Sequence, residues 1–276
     1  MNLLKWAKAG FLSANARFGW LYPAELQVIR VYNVRGVKLK IASNNRKMVW
    51  RWEQMAAGTK EPETLDWIDR CMRPEDVMVD IGACVGNYSL YAAARHRGLK
   101  VYAFEPEPNS LVDLVQNATL NELPVTFFSI PLNENKMPDF FNCNPIYCRD
   151  DETGRVGRDC FIAGESNHQF GRLVKSHGAS LQPSVRIGMC SCSIDEIIQR
   201  KLIPTPHHVK IDVDGLEPQI IKGMTKLISG ATLRSLLCEV QNEEENKNLS
   251  KIMAEAGFRC TWRSPVRRNQ IFERQG

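Results

Sequence analysis

Residues 77–87 read Val-Met-Val-Asp-Ile-Gly-Ala-Cys-Val-Gly-Asn, and no other stretch constrains the fold as strongly. The apolar run to Ile81 suits a strand buried on both faces, interrupted only by Asp80. Gly82 and Gly86 then permit a turn tight enough to bring backbone amides against a ligand, and helical spacing resumes from Tyr88. Strand, glycine turn and helix make the first half of a βαβ unit. The chain then repeats the alternation, with strands expected at 101–105, 125–132, 208–213 and 236–240 and helices at about 88–97, 110–120, 194–201, 218–229 and 248–256. A strand pair at 259–263 and 270–273 follows. This order predicts an α/β fold with a mostly parallel sheet and crossover helices on both faces.

Upstream, 28–34 and 37–41 read as a hairpin about Arg35-Gly36, and 61–71 as a helix. We divide the chain into a basic helix and hairpin extension, 1–72, and a main domain, 73–276. Residues 133–189 are polar, rich in Gly and Asn, and too long for a simple connection, so they are expected to form a lid or substrate-binding insertion. The first twenty residues place Leu4, Ala7, Phe11, Ala14 and Phe18 on one helical face, available to the domain itself, to an oligomer contact or to a membrane interface.

Composition removes other classes. With 43% hydrophobic and 24% charged residues the 276-residue chain is neither collagen-like nor wholly disordered, and no apolar run reaches the roughly 18 to 20 residues of a spanning helix. Nine cysteines, an odd and sparse number, read as reduced thiols of a cytoplasmic protein. Residues 1–51 hold ten Lys or Arg against Glu25 alone, so attraction to polyanions, including weak peripheral contact with an anionic membrane, belongs to that segment.

The chemistry gathers at the predicted carboxyl ends of the strands. A dinucleotide site would show G-x-G-x-x-G, whereas here the spacing is D-x-G-x-x-x-G, with Asp80 standing where it would repel a pyrophosphate. A cofactor with an amino acid moiety and no phosphate fits, and S-adenosylmethionine has both properties. Glu105, in Phe104-Glu105-Pro106, ends the next strand 19 residues past Gly86, where a carboxylate accepts both hydrogen bonds of a ribose diol; alone it reads equally as a helix cap. In His208-Val209-Lys210-Ile211-Asp212-Val213-Asp214 the alternation sets His208, Lys210, Asp212 and Asp214 on one face. Burying that row unpaired is costly, so the strand end lines a cavity, or else Lys210 pairs with Asp212 or Glu239 only to hold the sheet. His207 and His208 lie at the opposite end of the strand and read as structural.

These residues together resemble the FkbM family of S-adenosylmethionine-dependent methyltransferases. The resemblance spans about 61–272 and rests on 79–89, on Phe104-Glu105-Pro106, on Asn117 and Asn121, on Cys192-Ser193-Ile194-Asp195, on 210–215 with Glu217, and on Leu237-Cys238-Glu239-Val240. It implies a class I methyltransferase, Rossmann-like fold of seven strands with the last antiparallel, and O-methylation of a sugar, glycan or natural-product hydroxyl. The expected cofactor-binding set is Asp80, Gly82, Ala83, Gly86, Asn87, Glu105 and Pro106; Asp212 is the candidate catalytic base or hydroxyl orienter, with Lys210 holding its geometry. Cys84 stands where the family commonly has Asn, and Asp214 where it commonly has Glu. No metal is assigned to Asp214, Glu217 and Glu239, because loop-end carboxylates are usually solvated or paired. Methylation of amines or nucleic acid is the rival reaction, and the lack of an N-P-P-Y-like tetrapeptide after Asp212 counts against it. A non-catalytic cofactor-binding scaffold is the rival from another class, and no nucleic-acid partner is expected.

Overall fold

The computed structural model describes residues 28–43, 46–143, 146–149, 156–160, 168–171, 185–264 and 269–275. The amphipathic pattern of the first twenty residues lies outside them. The chain opens on a hairpin, β1 (Ile29–Val34) and β2 (Val37–Ala42), followed by α1 (Arg46–Ala56) and α2 (Pro62–Cys71). The hairpin turns at Arg35 (φ 49°) and Gly36 (φ 86°), two left-handed residues whose twist matches that of the strands. Next come β3 (Val77–Ile81), α3 (Asn87–Arg95), β4 (Lys100–Phe104), α4 (Pro108–Leu120) and β5 (Val125–Phe128). Residues after β5 form short strands β6 (Pro138–Cys143), β7 (Ile146–Arg149), β8 (Val156–Cys160), β9 (Gln169–Phe170) and β10 (Val185–Cys190). The chain then returns through α5 (Ile194–Gln199), β11 (His208–Ile211), α6 (Glu217–Lys222), α7 (Thr225–Ser229), β12 (Ser235–Glu239), α8 (Glu243–Glu255), β13 (Phe258–Arg263) and β14 (Asn269–Arg274).

Seven strands form the central sheet in the order β13-β14-β12-β11-β3-β4-β5. β3, β4, β5, β11 and β12 run parallel, while β14 is antiparallel to both its neighbours. The order reverses between β3 and β11, the switch point at which open α/β sheets form their ligand crevice. This is the class I methyltransferase arrangement that the sequence implies. Among the described residues no helix is long and apolar enough to cross a membrane.

Three elements depart from expectation. No helix is expected over 46–56, yet Met48, Trp52 and Met55 recur at spacings of four and three and are fully buried in α1. The strand from Val125 ends at Phe128 and not at Leu132, because Pro131 has no amide to give a ladder; Leu132 makes only an isolated bridge to Cys192. The helix expected over 218–229 is two helices. The Asp195 carboxylate accepts from the amides of Lys226 (2.8 Å) and Leu227 (3.0 Å), which starts a new helix after Gly223.

The asparagines of α4 have a structural task. Asn117 Oδ1 accepts from Ala42 N at 2.8 Å, and Asn121 accepts from Lys40 N and donates to Lys40 O. They seal the outer edge of β2 as a strand would. His208 is buried, its ring nitrogens meeting Ser235 Oγ (2.8 Å) and Asp76 Oδ2 (3.2 Å), and burial pushes its pKa down to about 4. It therefore ties the amino-terminal end of the sheet together as a neutral imidazole.

One hydrophobic cluster contains Leu39, Trp52 and Leu65 together with Met78, Leu90 and Leu114, so the core runs without a break across residue 72. Trp52 also stacks on Tyr32, ring centroids 6.0 Å apart. Trp52→Ala is therefore expected to cost about 3–5 kcal/mol. Urea unfolding followed by circular dichroism should show one transition moved to lower denaturant. A separate early transition, with the main midpoint unmoved, would show that the hairpin layer is an independent unit.

Candidate active site

The carboxyl ends of β3 and β11 lie side by side, with Lys210 opposite Asp80 in the parallel register. At the turn after β3, Gly82 takes φ 76°, and a Cβ there would overlap the carbonyl oxygen of Asp212. Only glycine lets the two strand ends approach this closely. The turn spends its own amides: Gly82 N and Ala83 N donate to Phe104 O (3.0 and 3.1 Å), Gly86 N to Ala83 O (2.8 Å), and Cys84 N to Glu105 Oε2 (2.7 Å). These four amides are therefore engaged within the protein.

Lys210 is 1% exposed, and its Nζ stands 3.2 Å from Asp212 Oδ2 and 3.6 Å from Asp80 Oδ1. Burial opposes its charge, but the Asp212, Asp80 and Glu61 carboxylates outweigh that and raise its pKa. The ammonium also lies 5.1 Å from the centre of the Tyr88 ring. Asp80 is 1% exposed, and its other oxygen accepts from Ser89 Oγ at 2.6 Å. Its carboxylate thus faces Lys210 and Ser89, behind the turn, and is not part of the cavity wall. Asp212, with 34% of its side chain exposed, is on that wall.

A cavity open to solvent lies at these strand ends. Gly82, Cys84, Glu105, Pro106, Asp212 and Asp214 line its polar side, and Phe104, Ile130, Pro131 and Leu132 one apolar side. Phe141 of β6, with His168 and Phe170 at β9, lines the wall contributed by the insertion. Gln169 anchors that wall, donating from Nε2 to Asp214 O at 2.6 Å. Glu105 is buried, with Oε1 accepting from Glu107 N at 2.7 Å. Burial pushes its pKa up to about 7 despite these backbone hydrogen bonds. Glu217 turns back to accept from Val213 N at 3.1 Å, and burial raises it to about 8; Glu239, half-buried near Asp212 and Glu217, rises to about 9. Among the described residues no group of three or more His, Cys, Asp or Glu is arranged to hold a metal.

Of the sequence-derived set, Gly82, Glu105, Pro106 and Asp212 reach the cavity. Lys210 supports Asp212 from below, while Asp80, Ala83, Gly86 and Asn87 form the turn and helix start behind the wall. Arg51 of α1, Phe141, His168 and Phe170 were not foreseen. Arg51 was masked by the missing helix, and the insertion residues lie in a stretch without periodicity.

Comparisons with known proteins bear on what this cavity serves. The profile of the methyltransferase FkbM domain matches residues 80–260. Over 226 residues the chain is 21% identical to the hexuronic acid methyltransferase AglP of Haloferax volcanii, covering 82% of this chain and 80% of that protein. Over 57 residues it is 42% identical to the 31-O-demethyl-FK506 methyltransferase FkbM of Streptomyces tacrolimicus, covering 18% of this chain and 22% of that one. Among solved structures, the methyltransferase FkbM of Methylobacillus flagellatus superposes with a TM-score of 0.44 at 16% identity, over 84% of this chain and 56% of that one. The chain belongs to the FkbM methyltransferase family, and S-adenosylmethionine is the cofactor of that family.

The donor set suits this cofactor. Asp212 and Asp214 line the cavity together with Glu105, whose pKa is raised to about 7, and one arginine, Arg51. Such a wall repels a pyrophosphate and favours a sulfonium. The raised pKa of Glu105 also has a consequence for stability. The folded state holds the Glu105 proton more tightly than the unfolded chain, so this contribution is present below the usual 4.5 and is lost as pH rises through about 7. Glu105→Gln should reduce the fall in unfolding free energy between these pH values. An unchanged pH profile would show that the carboxyl is not strained by burial.

Proposed function

We propose that this protein transfers the methyl group of S-adenosylmethionine to a hydroxyl oxygen of a sugar, glycan or natural-product acceptor. The observation that carries this reading is the Asp212 carboxylate on the cavity wall, clamped from beneath by a buried Lys210. The relatives support the acceptor class: AglP is a hexuronic acid methyltransferase, and the FkbM substrate, an O-demethyl compound, makes that reaction an O-methylation.

In this reading Glu105 receives the ribose hydroxyls, and Phe104, Ile130, Pro131 and Leu132 bound the flat base. The glycine turn 82–86 holds the strand ends at the spacing the cofactor requires. When bound, S-adenosylmethionine supplies an electrophilic methyl on a sulfonium. An alcohol attacks it well only if its proton leaves as the new bond forms, and Asp212 accepts that proton. Its Oδ2 is occupied by Lys210, so Oδ1 takes the acceptor hydroxyl. Lys210 fixes the orientation of the carboxylate, which matters because methyl transfer gains most of its rate from alignment. The aromatic wall of the insertion, Phe141 and Phe170 with His168, bounds the acceptor side.

Asp212→Asn keeps the shape of the site and removes the base. Turnover should fall by about 100-fold or more while cofactor affinity, measured by calorimetry, changes by less than about threefold. Full activity of this variant would remove Asp212 from its role.

A further inference from the structure

The cofactor carries a carboxylate on its methionine end, and the cavity must neutralise it. Four amides of the glycine turn, those of Gly82, Ala83, Cys84 and Gly86, already donate within the protein, and backbone amides bring no net charge. The nearby carboxylates Glu105, Asp212 and Asp214 repel it. Among the described residues lining the cavity, Arg51 is the one lysine or arginine, and it shares the wall with Gly82 and Cys84. We propose that Arg51 of α1 is the cofactor-carboxylate receptor, reaching over the glycine turn from the amino-terminal layer.

The fold prepares this arginine. Arg51 lies three residues after Met48 and four before Met55, and both of those side chains are fully buried, as is its neighbour Trp52. Helical spacing therefore holds it at the margin of the buried face, where it is half-buried and lines the cavity. Its charge is felt at the turn: after burial, which raises the Cys84 pKa, Arg51 is the strongest electrostatic influence on that thiol and lowers it. A guanidinium offers a planar fork matched to a carboxylate, which a lysine at this position would not. The reading also gives the hairpin and α1 a purpose, since the residues ahead of the methyltransferase domain would complete its cofactor site.

This inference rests on cofactor binding in the cavity, and the test separates the two. Full-length protein is titrated calorimetrically with S-adenosylhomocysteine, with its decarboxylated analogue, and with methylthioadenosine, which lacks the whole amino acid. Wild type should bind the decarboxylated analogue about 10- to 100-fold more weakly than S-adenosylhomocysteine, the range for losing a hydrogen bond to a charged group. Arg51→Gln should weaken S-adenosylhomocysteine by a similar factor while leaving methylthioadenosine within about threefold, and Arg51→Lys should fall between. Equal losses for both ligands in Arg51→Gln would make the residue structural, and unchanged affinity for S-adenosylhomocysteine would assign the carboxylate elsewhere. A variant that fails to fold leaves the wild-type comparison decisive: equal affinity for S-adenosylhomocysteine and its decarboxylated analogue overturns the proposal. Wild type that binds none of the three ligands would refute cofactor binding itself.

Discussion

Lys210 is an ammonium buried between two central strands of a parallel sheet, where an unpaired charge would be prohibitively costly. It is tolerated because Asp80 on β3 and Asp212 at the end of β11 stand on either side of it. Removing one member of such a group typically costs about 3–5 kcal/mol, since the charge left behind stays buried. The consequence reaches into the active site. The ammonium draws Asp80 inward, away from the cavity, and holds Asp212 at the wall. The close passage of Gly82 against the Asp212 carbonyl depends on the same alignment of strand ends.

Around that centre the protein gathers carboxyl groups that burial holds wholly or partly protonated. Glu105, Glu217 and Glu239 have pKa values raised to about 7, 8 and 9 by burial, in a region that also holds Asp212 and Asp214. Strained carboxyls at a strand-end cavity mark a functional site more often than a stabilising one. A cationic sulfonium favours the ionised form of these carboxyls, and a pyrophosphate opposes it. The insertion meets this region through Gln169, whose bond to the Asp214 carbonyl couples the acceptor-side wall to the loop carrying the proposed base.

Much of this was legible in the sequence, for identifiable reasons. β3, β4 and β12 are largely apolar runs, and Gly82 and Gly86 punctuate a turn that few other residues would form, so the βα order could be read directly. Glu105 and Asp212 were legible because acids ending apolar strands are anomalous. What escaped depended on tertiary partners. Asp80 looked ligand-facing because its ion pair with Lys210 crosses between strands 130 residues apart. The break at Gly223 is set by Asp195, a cap from a distant helix, and the helix carrying Arg51 was hidden in a cluster of tryptophans and basic residues. Of the basic residues of 1–51, Arg35 is paired with Asp66 (2.7 Å) and Asp69 (3.1 Å), and Arg51 lines the cavity.

The central claim is that this anionic, phosphate-averse cavity is built for S-adenosylmethionine. Isothermal titration of the protein with S-adenosylmethionine and, separately, with NAD tests it most directly, because both ligands offer an adenine and a ribose diol and only one carries a pyrophosphate. The account predicts stoichiometric binding of one S-adenosylmethionine per chain and no measurable binding of NAD. Saturable NAD binding that S-adenosylmethionine does not displace would contradict it.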